Sequence, residues 1–414
     1  MEELAILGGS PVRTRDIDLD PAMAPRELEL INQVIESRKL SSNDGSMNPR
    51  FEAEFSRYIG AEYGITTNAG TSALHVALAA AGVGPGDEVI LPAYTFIASA
   101  TSILHNNAVP VFADILPDTL CIDPVDLEKR ITEKTRVIMP VHLFGHPAEM
   151  DEILDIASDH DVKVVEDCAQ AHAAEYRERK VGSFGDLGCF SFQRSKNITA
   201  GEGGIVLTND KKMADACLRM RQQGRLFGTS ARPVYDSFTL GYNFRMTEMQ
   251  AAMLLAQLEK LDDFTETRIR NGKKMIEELS RFDWITCPTT KPYVKNVHHV
   301  FFIRVDSEKL GMDKDKLIEA YRAEGMYASP GYEFPLNRHP IFAEGIGFGG
   351  KKCPFDCLYY GGDARYQDLR PVTEEVVRDT IWVSSGWMVH NFTDVEIGDM
   401  VRAFEKIENS AKNR

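Results

Sequence analysis

The sequence predicts an α/β protein in which a mostly parallel sheet carries helices on both faces and a smaller α+β domain follows. Residues 60–208 alternate extended and helical patterns, the extended runs are apolar and β-branched rather than alternating, and a long helical pattern separates them from a mixed remainder. Continuous apolar strands interleaved with helices mark a sheet buried on both faces.

The extended runs are residues 88–91, 109–112, 137–141, 162–165, 189–192 and 204–207, with helical segments such as 150–159 between the earlier ones. From Thr247 the pattern TEMQAAMLLAQLEKLDDF predicts one helix reaching about Leu279, which CPTTKP at 287–292 ends. Beyond it HHVFFIRV, DKDKLIEAYRAEG and DVEIGDMVRAFEKIENS give strand and helix patterns. The expected division is 1–255 as the large domain, N-terminal arm included, and 256–414 as the small one.

Composition narrows the class. With 43% hydrophobic and 26% charged residues in 414, the chain reads as an ordinary globular enzyme. A net charge of −15 argues against nucleic-acid or anionic-membrane partners. No apolar run approaches the length of a membrane helix, and MEELAILGGSPVR lacks a basic and apolar leader. A cytoplasmic location is expected. Seven cysteines, an odd count, read as reduced thiols. Cys353 and Cys357 have three residues between them and no second pair nearby, so no metal is expected.

The segment SFQRSKNITAGEGGIVLTND at 191–210 concentrates the chemistry. It sets Lys196 in a polar strand exit ahead of a glycine cluster and another strand, the setting of a covalent cofactor anchor. Asn68-Ala-Gly-Thr-Ser-Ala73 is a small-residue turn entering an apolar helix, whose N-terminal N–H groups suit a phosphate. The run ending in Asp167 places a carboxylate at a strand's C-terminal end, where ligands sit in open α/β sheets. Lysine, acid and phosphate cradle together match the parts of a pyridoxal phosphate site. Opposite charges about 4 Å apart attract by roughly 4 kcal/mol at an effective dielectric near 20, about three pKa units. Asp167 would thereby keep the cofactor's ring nitrogen protonated.

Other signals read more simply as structure. Gly82-Val-Gly-Pro-Gly86 precedes a strand, unlike a dinucleotide fingerprint. Gly345 to Lys351 has phosphate-loop spacing, but Lys352 replaces the magnesium-binding hydroxyl and no helical pattern follows. His298 and His299 adjoin a strand pattern and read as structural or pocket residues. Ser72 alone is a first-turn hydroxyl, and Phe96 alone reads as core.

The chain resembles the DegT/StrS sugar aminotransferases, which have the type I fold of pyridoxal phosphate transferases, from about Gly8 to the C-terminus. The resemblance rests on AGTSALHVALAAAGVGPGDEVILPAYTF, PVHLFGHPAEM, EDCAQAHAA, SFQRSKNITAGEGG and GYNFRMTEMQAA, in that order. It implies that Gly70, Thr71, Ser72 and Ser191 hold the phosphate. Phe96 would stack on the pyridine ring, Asp167 would pair with its nitrogen, and Gln170 would lie near its phenolic oxygen. Asn243 would reach the phosphate of a neighbouring subunit, implying a homodimer with shared active sites. Ala173 stands where many relatives have glycine, which leaves the cofactor contacts intact and tightens the substrate side.

The implied activity moves an amino group from glutamate or glutamine to a keto sugar, free or nucleotide-linked, or to a cyclitol ketone of the inosose type. Lys196 would serve as anchor and as general base and acid. The N-terminal LAILGGSPVR and the segment 332–340 lean toward the inosose and aminobenzoate branches. The acceptor is expected near Tyr332, Asn337, Arg338 and His339, several donors and acceptors after a Pro/Gly-marked turn. The alternatives are an amino-acid lyase, a 2-oxo-acid aminotransferase, and a non-catalytic sensor, for which no helix-turn-helix pattern speaks. Relatives that dehydrate sugars replace the lysine with histidine, unlike this chain.

Overall fold

The computed structural model describes residues 2–225, 237–361, 364, 366 and 368–412. Its centre is a seven-stranded sheet of β1 (Tyr63–Thr67), β2 (Glu88–Pro92), β3 (Val109–Ala113), β4 (Thr135–Ile138), β5 (Lys163–Asp167), β6 (Leu187–Ser191) and β7 (Gly204–Thr208). The spatial order is β1-β7-β6-β5-β4-β2-β3. β7 pairs antiparallel with both β1 and β6, and the remaining pairs are parallel.

Successive residues of β2 explain its unbroken apolar run. Val89 and Leu91 point into one core with Val76, Phe112, Val137 and Val165, while Ile90 points into another with Ile138, Val164 and Ile153. Both faces are thus buried, the first largely under α3 (Gly70–Ala80) and α4 (Ala98–His105). Two earlier helices, α1 (Pro25–Ser37) and α2 (Met47–Ile59), pack Leu30, Phe51 and Phe55 against Phe190 and Phe192 of the β6 segment.

Five expected strands and the helix Met150–Asp159 fall where their patterns place them, within two residues at each end. The run 137–141 shifts to Thr135–Ile138, because Pro140 has no N–H for a ladder and Val141 makes only an isolated bridge to Asp167. β1 escapes the apolar pattern, since Ile65 is its one large aliphatic residue. The single helix expected from Thr247 to Leu279 is instead two, Glu248–Leu258 and Leu261–Leu279. Their apolar spacing continues across the junction, so the sequence conceals the break. Tertiary contacts hold it: Gln257 Nε2 donates to Glu27 Oε1 at 2.6 Å, and Lys260 pairs with the same carboxylate.

The small domain has its own core, with Met275, Trp284, Phe301, Tyr321 and Phe404 around a three-stranded antiparallel sheet. Two segments cross the expected division. The N-terminal arm packs Leu4 into this small-domain core rather than on the large domain. Buried Glu324 accepts from Ala5 N at 2.8 Å and Val12 N at 3.1 Å, and Lys406 Nζ reaches it at 2.8 Å. Conversely, Leu336, Phe342 and Phe355 return to the large-domain core, with the Phe342 and Tyr366 rings each 5.1 Å from Phe112.

Candidate active site

A cavity of about 440 Å³ opens at the C-terminal ends of the parallel strands, walled by residues following β1, β2, β4, β5 and β6. From the small domain, His299, Val300, Tyr332, Trp382 and Ser385 complete it. The sheet therefore places the site where an open α/β sheet offers converging loops and helix N-termini.

One end is shaped for an anion. α3 starts at Gly70 after an extended Ala69 that contributes no capping side chain, so its first N–H groups are left for another partner. A side chain at Gly70 would put Cβ 2.5 Å from Cβ and 2.8 Å from Oγ of Ser191, so glycine alone permits this approach of helix to strand. Gly70, Thr71 and Ser191 line the wall. Ser72, the third residue of the helix, does not.

Lys196 lies in the turn after β6, its backbone N–H bonded to Gln193 O at 2.8 Å and its side chain directed into the cavity wall. Burial pushes its ammonium down to about 8, while Asp167 opposes the shift. At that value a substantial fraction of the lysine is a neutral amine near pH 8, the form that attacks carbonyl carbon and accepts protons. Asp167, 4% exposed, ends β5. Burial raises its carboxyl above the usual range, and donors oppose this: Ser99 Oγ at 2.8 Å to Oδ2 and Ala169 N at 3.1 Å to Oδ1.

Gln170 is gripped from both sides, accepting from Phe144 N at 2.9 Å and donating to Tyr332 Oη at 3.3 Å. Phe96 lines the cavity with 54% of its surface exposed rather than joining the core. Asn243 stands outside this cavity, exposed beside its backbone bridge to Gln222.

The segment after Tyr332 departs from expectation. Tyr332 is on the wall, but the structure does not bring Asn337, Arg338 or His339 there. Asn337 is fully buried, its amide donating to Asp368 O at 3.3 Å. Arg338 pairs with Glu374 at 3.1 Å on the surface, and His339 starts the short helix Pro340–Ala343. Packing of Leu336 and Phe342 into the large-domain core turns these residues away. Ala173 also lies in a core cluster rather than on the cavity wall. Its φ of 65° is the region that favours glycine.

Sequence reasoning missed Ser99, Thr95, Phe144, Trp382 and, as a definite wall residue, His299. Ser99 was within reach, since it falls one helical turn after Phe96. Trp382 was not, because its strand joins the site only through the small-domain sheet. Among the described residues, His142, Glu166 and Cys168 group three metal-type ligands. That group is already satisfied: Glu166 accepts from Gly182, Phe184 and Gly185 N–H at 2.7–2.8 Å.

A half-buried lysine facing an acid at a strand end, beside an uncapped helix N-terminus, defines a pyridoxal phosphate enzyme of the transferase type. The fit is steric as well as electronic, since the cleft between Gly70 and Ser191 admits no added side chain. The chain belongs to the DegT/DnrJ/EryC1/StrS aminotransferase family, whose model matches residues 21–355. It is 35% identical over 424 residues to the L-glutamine:2-deoxy-scyllo-inosose aminotransferase of Micromonospora echinospora, covering 98% of each chain. It is 37% identical over 343 residues to the GDP-perosamine synthase of Escherichia coli O157:H7, covering 81% of this chain and 91% of that one. A Bacillus subtilis protein solved with the bound cofactor PMP superposes with a TM-score of 0.79 at 25% identity, over 96% of this chain and 86% of that one. The protein is thus an aminotransferase that uses pyridoxal phosphate. No helix among the described residues is long and apolar enough to cross a membrane.

Proposed function

We propose that this aminotransferase takes the amino group of glutamine or glutamate and delivers it to a cyclic polyhydroxylated ketone, a cyclitol of the inosose type. The carrying observation is the cavity itself, lined by Lys196 and Asp167 together with the rings of Phe144, Tyr332 and Trp382. Those rings offer flat apolar surface to the C–H face of a six-membered ring. The inosose relative supports this acceptor through similarity along 98% of the chain.

When bound, pyridoxal phosphate supplies an aldehyde that takes up the amino group and a ring that accepts electron density. Gly70, Thr71 and Ser191, which line the wall, would hold its phosphate, and Asn243 of a neighbouring copy would complete that grip in a homodimer. Phe96 would stack on its ring, Asp167 would pair with its ring nitrogen, and Gln170 would serve its phenolic oxygen. Lys196 would be its covalent anchor. As a free amine, Lys196 Nζ would act as the general base and acid that moves the donor's Cα proton. In the second half-reaction Lys196 would move the protons in the reverse order. A cytoplasmic location is consistent with this chemistry.

The GDP-perosamine relative favours a nucleotide-linked keto sugar as the second reading. Incubating the pyridoxamine form with scyllo-inosose, nucleotide-linked keto sugars and simple 2-oxo acids, and following return of the aldehyde-form absorbance, separates them. Turnover with scyllo-inosose is expected. Turnover confined to nucleotide-linked sugars supports the second reading, and confinement to 2-oxo acids overturns both. Mixing Lys196→Ala with Asn243→Ala subunits tests the shared site: verified heterodimers should regain activity that both homodimers lack.

A further inference from the structure

We propose that Ser99 is a positioning residue of the reaction, whose hydroxyl clamps Asp167 so that the carboxylate stays ionised and offers an oxygen to the cofactor's ring nitrogen. The proposal deepens the function above and rests on its assignment of Asp167 to that nitrogen.

The backbone of Asp167 is fixed by the sheet: its N–H donates to Pro140 O at 2.9 Å, and its carbonyl accepts from His142 N at 3.1 Å. That leaves the side-chain torsions to be set. Two donors from different elements set them. Ser99 Oγ lies 2.8 Å from Oδ2, and Ala169 N lies 3.1 Å from Oδ1. Each carboxylate oxygen can accept more than one hydrogen bond, so capacity remains on the side facing the cavity, which both Ser99 and Asp167 line.

Ser99 is itself held rigidly. It is 1% exposed, its N–H donates to Phe96 O at 3.1 Å, and its carbonyl accepts from Ser102 Oγ at 2.8 Å. A serine early in a helix commonly satisfies nearby backbone groups; this one reaches across 68 residues of sequence to a buried acid. Its place in the first turn of α4 adds the positive end of that helix to the carboxylate's surroundings. Phe96 on the cavity wall lies just ahead of that helix and accepts from Ser99 N, so one short segment supplies both that ring and the clamp.

The clamp has an electronic consequence. Burial drives Asp167 toward its neutral form, and a hydroxyl donor favours the charged one. A protonated Asp167 would leave the ring nitrogen without its counter-charge, and proton removal at Cα would lose its electron sink.

The test loads wild type, Ser99→Ala, Ser99→Thr and Asp167→Asn with ¹⁵N-labelled pyridoxal phosphate. Ring-nitrogen chemical shift, kcat, donor KM and the melting temperature of the cofactor-free protein are recorded. Ser99→Ala is expected to move the ring nitrogen toward the neutral-pyridine shift and lower kcat about 10- to 100-fold, as for loss of a hydrogen bond to a charged group. KM and melting temperature should stay near wild type, and Ser99→Thr should restore shift and kcat. An unchanged ring shift in Ser99→Ala, whatever happens to kcat, overturns the proposal. If Ser99→Ala does not fold, Ser99→Cys, a weaker donor, is read by the same shift and the same criterion. Asp167→Asn separates the two levels of inference. If it fails to move the shift, the assignment of Asp167 falls and Ser99 with it; if it moves the shift and the Ser99 variant does not, only Ser99 falls.

Discussion

The two walls of the cavity hold their polar atoms by different means. On the large-domain wall, each element that ends at the site is locked by hydrogen bonds or by steric fit: Asp167 by Ser99 and Ala169, Gln170 by Phe144, Gly70 by Ser191. On the small-domain wall, rings dominate. Tyr332 and Trp382 meet edge to face at 4.9 Å, and each also contacts Phe144, while the polar residues next along the chain turn toward the core or the solvent. On the proposed function, the fixed atoms of the first wall serve the chemistry common to every turnover, and the apolar second wall serves the acceptor's ring. The first wall should therefore be intolerant of small changes, and the second should respond mainly in substrate affinity.

The hardest test of that contrast is Lys196→Ala. It should lower kcat by about 10³-fold or more, in the range assigned to positioned acid–base groups, and the variant should no longer retain cofactor after borohydride reduction, read by intact-protein mass spectrometry. Retention in that variant would place the anchor elsewhere. Next in size is the pH dependence of cofactor capture by the cofactor-free protein. The reacting species is the neutral amine, and burial lowers the Lys196 ammonium to about 8. Capture should therefore slow as pH falls below 8, by about 50-fold at pH 6, and level off above 8. Stopped-flow absorbance reads this directly, and a profile still rising toward pH 10 would mean that the lysine is not desolvated.

A smaller effect is expected from Gly70→Ala. Its Cβ, 2.5 Å from that of Ser191, must displace helix or strand, at a cost typical of overpacking, about 1–3 kcal/mol. Cofactor affinity by equilibrium dialysis should weaken by tenfold or more, with a lowered melting temperature. The smallest effects belong to the other wall. Tyr332→Phe removes one neutral hydrogen bond to Gln170 and should alter acceptor KM a few-fold, about 1 kcal/mol, with little change in the donor half-reaction. Arg338→Ala breaks a surface ion pair worth about 0–1 kcal/mol and should leave both half-reactions within twofold. A large loss in Arg338→Ala would reverse the present comparison and restore that residue to the acceptor site.

The same contrast explains what the amino-acid sequence reveals. Gly70, Asp167, Ser191 and Lys196 all sit at or just beyond the ends of strands or helices, so local pattern and turn chemistry place them in the chain and parallel topology brings them together. Asn337 could not be placed that way. Its burial depends on Leu336 and Phe342 docking on Phe112, a contact across more than 200 residues that no local pattern encodes. The break between Leu258 and Leu261 was hidden for a related reason, because Glu27 holds it and the apolar spacing does not change. Ser99 lay between: its turn was legible through Phe96, its partner was not.

The docking of the N-terminal arm gives the molecule a mechanical character. Arg13 pairs with Asp399 and Glu396 at 2.9 Å, Lys406 Nζ reaches Ser10 O at 2.7 Å, and both ends of the chain thus meet on the last helix. A pulling force applied to the two ends would load these few ion pairs first and peel the arm from Asp394–Ala411.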